Sequence, residues 1–461
     1  MKREAEISLL DWYHRTRRKP LVIRGARQVG KSTLVRQFSV QKGMSLCEIN
    51  LERHLYLDAI FKSMDMGRIL PELESLVGRS LNEPGILLFL DEIQATPSAL
   101  PALRYFYEKC PDLPVICAGS LLEFALKDHS FSMPVGRIEY LHLGPMNFRE
   151  FLLALQDTYL LESVQKYGTG EAWPVGMHQK LLHRQREFLL TGGMPEAILT
   201  FKESRSLVAV QTVQENILAT FLDDFAKYTR SKVELIRLQH LFRYIPALGG
   251  RKVKYSEISR EEASREIKQA LELLSLAKLV TVVTHTAASG VPLAAQENKK
   301  IFKSLFLDIG LANRVCGLDW TAIQNWDERR LVNEGALAEQ FIGQHLLYRD
   351  GGHTDPRLHY WIREENSENA EVDYVISQGD WVIPIEVKAG LSGRLKSLQV
   401  FSLLKSLPVC VRFDLNPPSL AEYRHHIQTR EGSKAVSYRL LSLPLYLVTE
   451  LPRLVDGLRE R

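Results

Sequence analysis

The sequence predicts an α/β protein of about three domains, since domains average roughly 150 residues and the chain has 461. Three observations give the order of these domains. Five short apolar runs alternate with helix-length segments in the first third, which indicates an N-terminal domain with a parallel sheet. Helical patterns then predominate to about residue 280. From about residue 330 a helix precedes three strands, which indicates a C-terminal α/β domain.

Composition places the chain among ordinary globular proteins. Hydrophobic residues make up 45% and charged residues 25%, which excludes intrinsic disorder and collagen-like repeats. The formal net charge of +4 is too small to indicate a nucleic-acid or membrane partner by itself. The apolar runs are far shorter than the ~18–20 residues of a membrane span. We therefore expect no membrane partner. Because the five cysteines are dispersed and form no C-x-x-C pair, we expect a cytoplasmic protein without a zinc site.

The N-terminal domain is predicted over residues 1–200 and contains five strand-like runs. They are LVIRG (21–25), SLCEINL (45–51), ILLFLD (86–91), PVICAGS (114–120) and RIEYLHL (137–143). Helix-length segments between such runs indicate parallel strands joined by helices. After the last run, Asn147 and Glu150 occupy the ends of an N-x-x-E capping box that opens the next helix.

A phosphate-binding sequence lies between the first strand and the helix that follows it. The run GARQVGKS fits the pattern G-x-x-x-x-G-K-[ST] in the required strand-to-helix context. In such a loop, backbone N–H groups wrap the β-phosphate, the lysine reaches the β- and γ-phosphates, and the hydroxyl ligates Mg²⁺. The candidate ATP-binding residues are Gly25, Ala26, Arg27, Gln28, Val29, Gly30, Lys31, Ser32 and Thr33.

Two carboxylates end the third strand, ILLFLD, and form the second part of the predicted site. Asp91 is predicted to hold Mg²⁺ together with Ser32, and Glu92 to polarise the water that attacks the γ-phosphate. The alternative is a pair of acids that only favour the start of a helix through its dipole. The upstream phosphate-binding loop favours the catalytic interpretation.

These residues resemble prokaryotic AAA-type P-loop ATPases, through the runs GARQVGKSTL, LFLDEIQ, a strand ending in AGS, then GR and GPMNFREF. The resemblance implies that Ser120 senses the γ-phosphate and that Arg137 is a sensor or an arginine finger. It also implies that Pro195, in the run GMP, touches the nucleotide from a helical lid. The alternatives are a strand-end cap for Ser120, a surface ion pair for Arg137 and a helix break for Pro195.

The middle domain, predicted over residues 201–328, has the element order of a winged helix. A helix, a turn, a short helix and a longer helix precede a hairpin strand. Basic residues outnumber acidic ones between Arg230 and Lys278, which suits contacts with phosphates. However, Glu261, Glu262 and Glu266 fall on the predicted recognition helix and would repel DNA. The pattern therefore favours a structural role for the winged helix.

The C-terminal domain, predicted over residues 329–461, contains a second candidate site. Asp373 lies in one strand of a hairpin, and Glu386 and Lys388 face the same side of the next strand. This arrangement resembles the PD-(D/E)xK superfamily and its restriction-endonuclease-like α/β fold. The resemblance implies that Asp373 and Glu386 ligate Mg²⁺ and that Lys388 stabilises the attacking hydroxide. It also gives supporting positions to Glu339 and Gln399.

Two further expectations concern the C-terminal elements. Pro384 predicts an edge strand or a bulge, because proline cannot donate to a ladder. A helix, a strand and a final helix are expected after the hairpin.

The leading prediction is an ATP-binding and ATP-hydrolysing protein in which a nucleotide switch is coupled to DNA binding or Mg²⁺-dependent DNA processing. The alternative is an ATP-driven interaction or signalling switch whose nuclease-like domain is inactive. Besides ATP, the candidate partners are DNA, a second copy of the chain and another protein. The complete set of Asp373, Glu386 and Lys388 favours the first interpretation, and the acidic recognition helix favours the second.

Overall fold

The computed structural model describes residues 1–120, 122–127, 134, 136–259, 262–318, 334–363, 370–391, 395–405, 407–429 and 432–460. It divides the chain into two compact units. The first comprises Met1–Pro145, Leu276–Leu279 and Asp350–Pro356, and the second comprises Met146–Ser275, Val280–Arg349 and Arg357–Arg461. The domain boundary predicted near residue 328 and Glu261 of the predicted recognition helix lie outside the described residues. Among the described helices, none has the length and apolar character needed to cross a membrane.

The first unit contains the five strands that the sequence predicts. They are β1 Leu21–Arg24, β2 Ser45–Asn50, β3 Ile86–Asp91, β4 Val115–Gly119 and β5 Glu139–His142. Its helices are α1 Ala5–Tyr13, α2 Lys31–Gln41, α3 Leu57–Lys62, α4 Met66–Val77, α5 Ala99–Lys109 and α6 Leu122–Lys127.

All pairings between neighbouring strands of this first sheet are parallel, in the order β2-β3-β4-β1-β5. Every residue of β3 and β4 is buried, as expected for strands of a parallel sheet covered on both faces. Because the strands run in one direction, the segments that follow β1, β3 and β4 all leave the sheet at its carboxyl edge. Ligands of open α/β sheets bind at this edge.

The second unit begins with helices, and a large sheet makes up most of its C-terminal part. Its helices are α7 Phe148–Ala154, α8 Thr158–Lys166, α9 Val175–Thr191, α10 Pro195–Ser204, α11 Leu207–Asp224, α12 Lys232–Leu248, α13 Tyr255–Ile258, α14 Ser264–Leu276, α15 Ile309–Val315, α16 Glu334–Leu346, α17 Lys396–Lys405 and α18 Leu451–Arg459. Its strands are β6 Val280–Thr286, β7 Glu297–Phe306, β8 His359–Arg363, β9 Ala370–Gln378, β10 Trp381–Val387, β11 Val409–Asp414, β12 Ser419–Thr429 and β13 Gly432–Pro444. The capping box of Asn147 and Glu150 opens α7 as predicted.

The second sheet joins the hairpin of the predicted winged helix to the C-terminal strands. Among the described residues its order is β12-β13-β11-β10-β9-β8-β6-β7. The order α12, α13, α14, β6 and β7 follows the prediction, but β6 also pairs in parallel with β8, where Thr284 lies opposite His359. Pairing with β8 satisfies an edge that a free hairpin would expose. The hairpin therefore extends the C-terminal sheet, which the sequence pattern did not indicate.

Acidic residues at the start of the predicted recognition helix form ion pairs within the second unit. Arg237 of α12 contacts Glu262 and Glu266, and its side chain is only 11% exposed. A single cation of a neighbouring helix therefore offsets part of the charge of these two carboxylates. The structural role that the sequence favours for these helices stays a prediction.

Two sequence-based expectations for the C-terminal strands are wrong. β10, which contains Pro384, is an interior strand between β9 and β11. The sheet tolerates the proline because the ladder with β11 begins only at Ile385, one residue further on. The chain after β11 does not continue directly into a helix. It first forms the long hairpin of β12 and β13, in which Tyr423 stacks on Tyr438 at 5.8 Å between ring centroids.

Asp308 fixes the loop before α10 and the start of α15. Its carboxylate accepts hydrogen bonds from the backbone N–H of Gly193 at 2.6 Å, from that of Leu311 at 3.1 Å and from Gln344 at 3.3 Å. The side chain is fully buried, and burial raises the pKa of Asp308 to about 6 although these hydrogen bonds oppose the shift.

We predict that Asp308→Asn removes a pH dependence of stability in the second unit. The folded-state pKa of about 6 lies above the ordinary value of 3.8. The stabilisation that Asp308 provides is therefore complete below about pH 4 and is lost as the pH rises through about 6, an effect on the order of 3 kcal/mol. Melting curves across this range should show the wild type losing stability relative to Asp308→Asn. A constant difference between the two proteins would contradict this assignment.

Candidate functional site

The phosphate-binding loop connects the carboxyl end of β1 to the first turn of α2. Gly25 has φ of 157° and Gly30, the N-cap of α2, has φ of 92°. A Cβ atom at Gly25 would lie 2.1 Å from the carbonyl oxygen of Leu143. Both glycines therefore meet a backbone requirement that other residues satisfy poorly. The loop brings its backbone to a helix N-terminus, where anions bind.

Arg3 braces this loop from the N-terminal segment. Its guanidinium donates to the carbonyl oxygens of Val29 at 2.7 Å and Gly144 at 2.8 Å. Within the loop Ala26 and Val29 are buried, whereas Gln28 and Thr33 are exposed. The sequence analysis did not select Arg3, because nothing in its local sequence indicates a contact with a loop more than twenty residues away.

Lys31 lies within the loop and is only 8% exposed. Its ammonium group donates to the carbonyl oxygens of Gly25 at 3.0 Å and Ala26 at 2.7 Å. Burial lowers the pKa of Lys31 to about 8. A phosphate would offer this ammonium a charged acceptor in place of two neutral carbonyls, so the side chain is placed to favour an anion.

Ser32 and Asp91 are in contact, as the sequence predicts. The Ser32 hydroxyl donates to Oδ2 of Asp91 at 2.7 Å. Asp91 ends β3, is 6% exposed, and has a pKa raised by burial. The pair is a hydroxyl and a carboxylate at the carboxyl edge of the sheet, and Mg²⁺ prefers such oxygen ligands.

Glu92 is held by the two strand ends beside the loop. Its backbone is left-handed, with φ of 52°, and its Oε2 accepts from Gln94 at 2.5 Å and from Ser120 at 3.3 Å. Ser120 is 4% exposed and its hydroxyl also accepts from Nε of Arg27 at 3.2 Å. These hydrogen bonds connect the loop, the end of β3 and the end of β4.

Gln94 is a residue of the site for which the sequence predicts no role. It lies two residues after Glu92, and a Cβ atom at Gly119 would lie only 2.2 Å from its Oε1. The glycine at the end of β4 therefore leaves room for this amide. The run LFLDEIQ contains the signal, since a polar residue follows the two carboxylates at close spacing.

Arg137 is not brought to the loop of its own chain. Its Nε lies 3.1 Å from Oε1 of Glu108, its guanidinium lies 5.8 Å from the ring of Tyr107, and its side chain is 44% exposed. It precedes β5, so it lies at the amino edge of the parallel sheet, opposite the loop. Pro195 begins α10 in the second unit, and its predicted contact with nucleotide stays a prediction.

The predicted residues of the C-terminal site do come together. Lys388 contacts Glu386, and Oδ2 of Asp373 accepts a hydrogen bond from the backbone N–H of Val387 at 2.8 Å. Asp373 and Glu386 are both buried. Glu339 lies on α16 and reaches the same cluster, whereas Gln399 lies on α17.

A lysine that the sequence analysis did not select lies at the centre of this cluster. Lys303 of β7 is 2% exposed, and its Nζ lies 2.7 Å from Glu371, 3.3 Å from Glu339 and 3.4 Å from Asp373. The signal for it was a charged residue inside the apolar run IFKSLF.

The carboxylates of the cluster lie close enough together that each disfavours the charged form of its neighbours. Burial and the neighbouring Asp373 raise the pKa of both Glu339 and Glu386. Burial opposes the charge of Lys303, but the surrounding carboxylates outweigh it and raise the pKa of Lys303 well above its ordinary value. The ammonium therefore stays charged among the acids.

The predicted Mg²⁺ ligands of this cluster are paired with cations. Asp373 contacts the ammonium of Lys303 and Oε1 of Glu386 contacts that of Lys388, whereas the partners of Asp91 are the neutral Ser32 hydroxyl and the N–H of Glu92. Only Oε2 of Glu386 is buried without a hydrogen-bond partner in the described part of the cluster. Across all residues that the structure describes, no group of three or more His, Cys, Asp or Glu side chains has the geometry to hold a metal ion.

The fold and the loop together define a P-loop ATPase of the AAA type in the N-terminal region. Residues 17–152 match the family model of the AAA domain. Residues 182–322 and 334–427 match two domains of unknown function, DUF8612 and DUF4143. The N-terminal region is therefore an ATPase domain with the α/β fold and parallel sheet of this class.

Comparison with solved structures gives distant similarities. The Walker-type ATPase paby2304 of Pyrococcus abyssi is 16% identical, with a TM-score of 0.44, over 68% of this chain and 95% of that chain. The ORC2 protein of Aeropyrum pernix, in ADPNP-ADP complexes, is 16% identical, with a TM-score of 0.35, over 69% of this chain and 92% of that chain. Because both TM-scores are low, neither similarity supports a further conclusion. No curated protein shows significant similarity to the chain.

Proposed function

We propose that the chain binds and hydrolyses ATP at the loop of residues 25–33, with Asp91, Glu92 and Ser120 completing the site. The observation that carries the proposal is the set of contacts that joins Ser32 to Asp91 and Ser120 to Glu92. They bring two hydroxyls and two carboxylates to the N-terminus of α2, whose first residue is the buried Lys31. Phosphoryl transfer needs this combination of positioning and charge stabilisation.

In the proposed site, Ser32 and Asp91 would hold Mg²⁺, which would neutralise charge on the phosphates. Lys31 binds the phosphates once its ammonium exchanges the carbonyls of Gly25 and Ala26 for phosphate oxygens. The loop N–H groups orient the β-phosphate. These residues together fix the position of the terminal phosphate.

Glu92 orients and polarises the attacking water. Hydrogen bonds from Gln94 and Ser120 fix the position of the Glu92 carboxylate. Because Ser120 also contacts Arg27 of the loop, a change at the γ-phosphate would alter the bond between Ser120 and Glu92. This link supports the sensor role proposed for Ser120.

Phosphate release by the purified chain tests the proposed function. We expect release from ATP that requires Mg²⁺ and saturates with ATP concentration. A matched reaction with Ser32→Ala should lose most of this activity, while Ser39→Ala, in the same helix but hydrogen-bonded only to the carbonyl of Arg36, should keep it. If the wild type, Ser32→Ala and Ser39→Ala release phosphate at the same rate, the proposal is wrong.

Arg137 is proposed to act on the site of a neighbouring copy of the chain. We predict that Arg137→Ala lowers turnover without weakening ATP binding. The loss should be on the order of tenfold, since an exposed guanidinium that shares its charge with Glu108 contributes less than one fixed in a site. The control is Glu108→Ala, which breaks the ion pair but keeps the guanidinium. Equal losses in both variants, or turnover independent of protein concentration, would assign Arg137 to a structural ion pair.

For the C-terminal cluster we propose the alternative role, an ATP-driven interaction switch whose second unit does not cut DNA. The assembled Asp373, Glu386 and Lys388 favour DNA processing, but the partners of their oxygens favour the inactive form. Linear, branched and single-stranded DNA should stay intact with Mg²⁺ or Mn²⁺ in the presence of ATP. Cleavage that Asp373→Ala abolishes, with ATP turnover unchanged, would establish the DNA-processing role instead.

A further inference from the structure

We infer that Lys303 is the built-in cation of the C-terminal carboxylate cluster and takes the place of a divalent metal ion. Asp373, Glu339 and Glu371 come from three positions on β9 and α16, yet each has a carboxylate oxygen within 3.4 Å of the one Nζ atom. Carboxylate oxygens gathered around one point are also the ligands that a divalent metal ion takes. Here an ammonium group occupies that point.

The position of the ammonium group is fixed by the fold. Lys303 lies within β7, opposite Val283 of β6. Its Nζ also lies 5.6 Å from the centre of the Tyr360 ring, where a cation is attracted to the aromatic face. Glu339 is anchored from the other side, because the Tyr374 hydroxyl donates to its backbone carbonyl at 2.9 Å. The lysine and its acceptors therefore belong to packed elements and do not depend on a surface rotamer.

Charge explains why the cluster needs a cation. Among the residues that the structure describes in this cluster, Glu339, Glu371, Asp373 and Glu386 supply four carboxylates, and Lys303 and Lys388 supply two ammonium groups. Removing a buried partner leaves uncompensated charge, which is strongly destabilising. Without Lys303 the remaining carboxylates would either take up protons or bind a divalent ion. The wild-type chain should therefore bind no metal at this cluster, and loss of the lysine should uncover a metal site.

Titration with Mn²⁺ alone, followed by the electron paramagnetic resonance signal of the free ion, tests the inference on the full chain. The wild type and Asp373→Asn should give the same binding curve, because any residual binding at Asp91 is common to both. Lys303→Ala should gain a site that the double variant with Asp373→Asn lacks. Lys300→Ala, which removes an exposed lysine from the same strand, should behave as the wild type.

Each result of this titration either supports the inference or overturns it. Binding by the wild type that Asp373→Asn removes would overturn the inference, as would a folded Lys303→Ala protein that gains no site. If Lys303→Ala folds only when Mn²⁺ is present, the ion has replaced the ammonium, as inferred. If it never folds, the comparison of wild type with Asp373→Asn decides alone. The inference extends the proposed inactive role of the cluster, but a wild type that binds no Mn²⁺ at the cluster and still cuts DNA would overturn only that role.

Discussion

Glu92→Gln should reduce ATP turnover by about a hundredfold to a thousandfold while leaving ATP affinity close to that of the wild type. The amide keeps the size of the side chain, but it carries no negative charge with which to polarise the attacking water or accept its proton. ATP binding should persist, because the substitution leaves Lys31 and the loop, the proposed phosphate-binding residues, unchanged. Phosphate release at saturating ATP and equilibrium titration with ATP-Mg measure the two quantities separately.

A matched control for this variant is Glu48→Gln. Glu48 lies on the neighbouring strand β2 and forms an ion pair with Arg36, so its loss should leave turnover unchanged. Gln94→Ala should fall between the two, because it removes one of the groups that hold the Glu92 carboxylate. A Glu92→Gln protein with normal turnover would mean that another group activates the water.

Lys31→Ala should weaken the binding of ATP-Mg by about a hundredfold, since it removes charge-assisted hydrogen bonds to the phosphates. Lys42→Ala is the matched control, because Lys42 is the exposed C-cap at the far end of the same helix. Melting curves should accompany the titration, since the substitution also removes the donors to Gly25 and Ala26. If the folded Lys31→Ala protein binds ATP-Mg as tightly as the wild type, the loop does not bind the phosphates.

Local sequence was sufficient to predict the first sheet and the side chains that meet at its carboxyl edge. The strands lie within a residue or two of their apolar runs, because each run is long enough to form one buried strand and is bounded by polar segments. Lys31 and Ser32 begin α2 after the loop that follows β1, and Asp91 and Glu92 lie where β3 ends. Their meeting follows from parallel strands that end at one edge.

Contacts between distant segments could not be predicted in this way. Lys303 meets Asp373 across 70 positions of sequence, through a pairing of β6 with β8 that no local pattern indicates. The hairpin of β12 and β13 was not predicted, because charged residues in its strands obscure the alternation of apolar and polar side chains. The interior position of β10 was not predicted either, because Pro384 suggested an edge strand. The sequence thus identified Glu339, Asp373, Glu386 and Lys388 of the C-terminal cluster but neither Glu371 nor Lys303.

A crystal structure of the chain with Mg²⁺ and a non-hydrolysable ATP analogue tests the central claim most directly. The account predicts a triphosphate wrapped by the loop after β1, with Nζ of Lys31 moved from the carbonyls of Gly25 and Ala26 to the phosphates. Mg²⁺ should lie beside Ser32 and Asp91, and the carboxylate of Glu92 should face the terminal phosphate. A nucleotide bound elsewhere, with Lys31 still hydrogen-bonded to its own loop, would contradict the account.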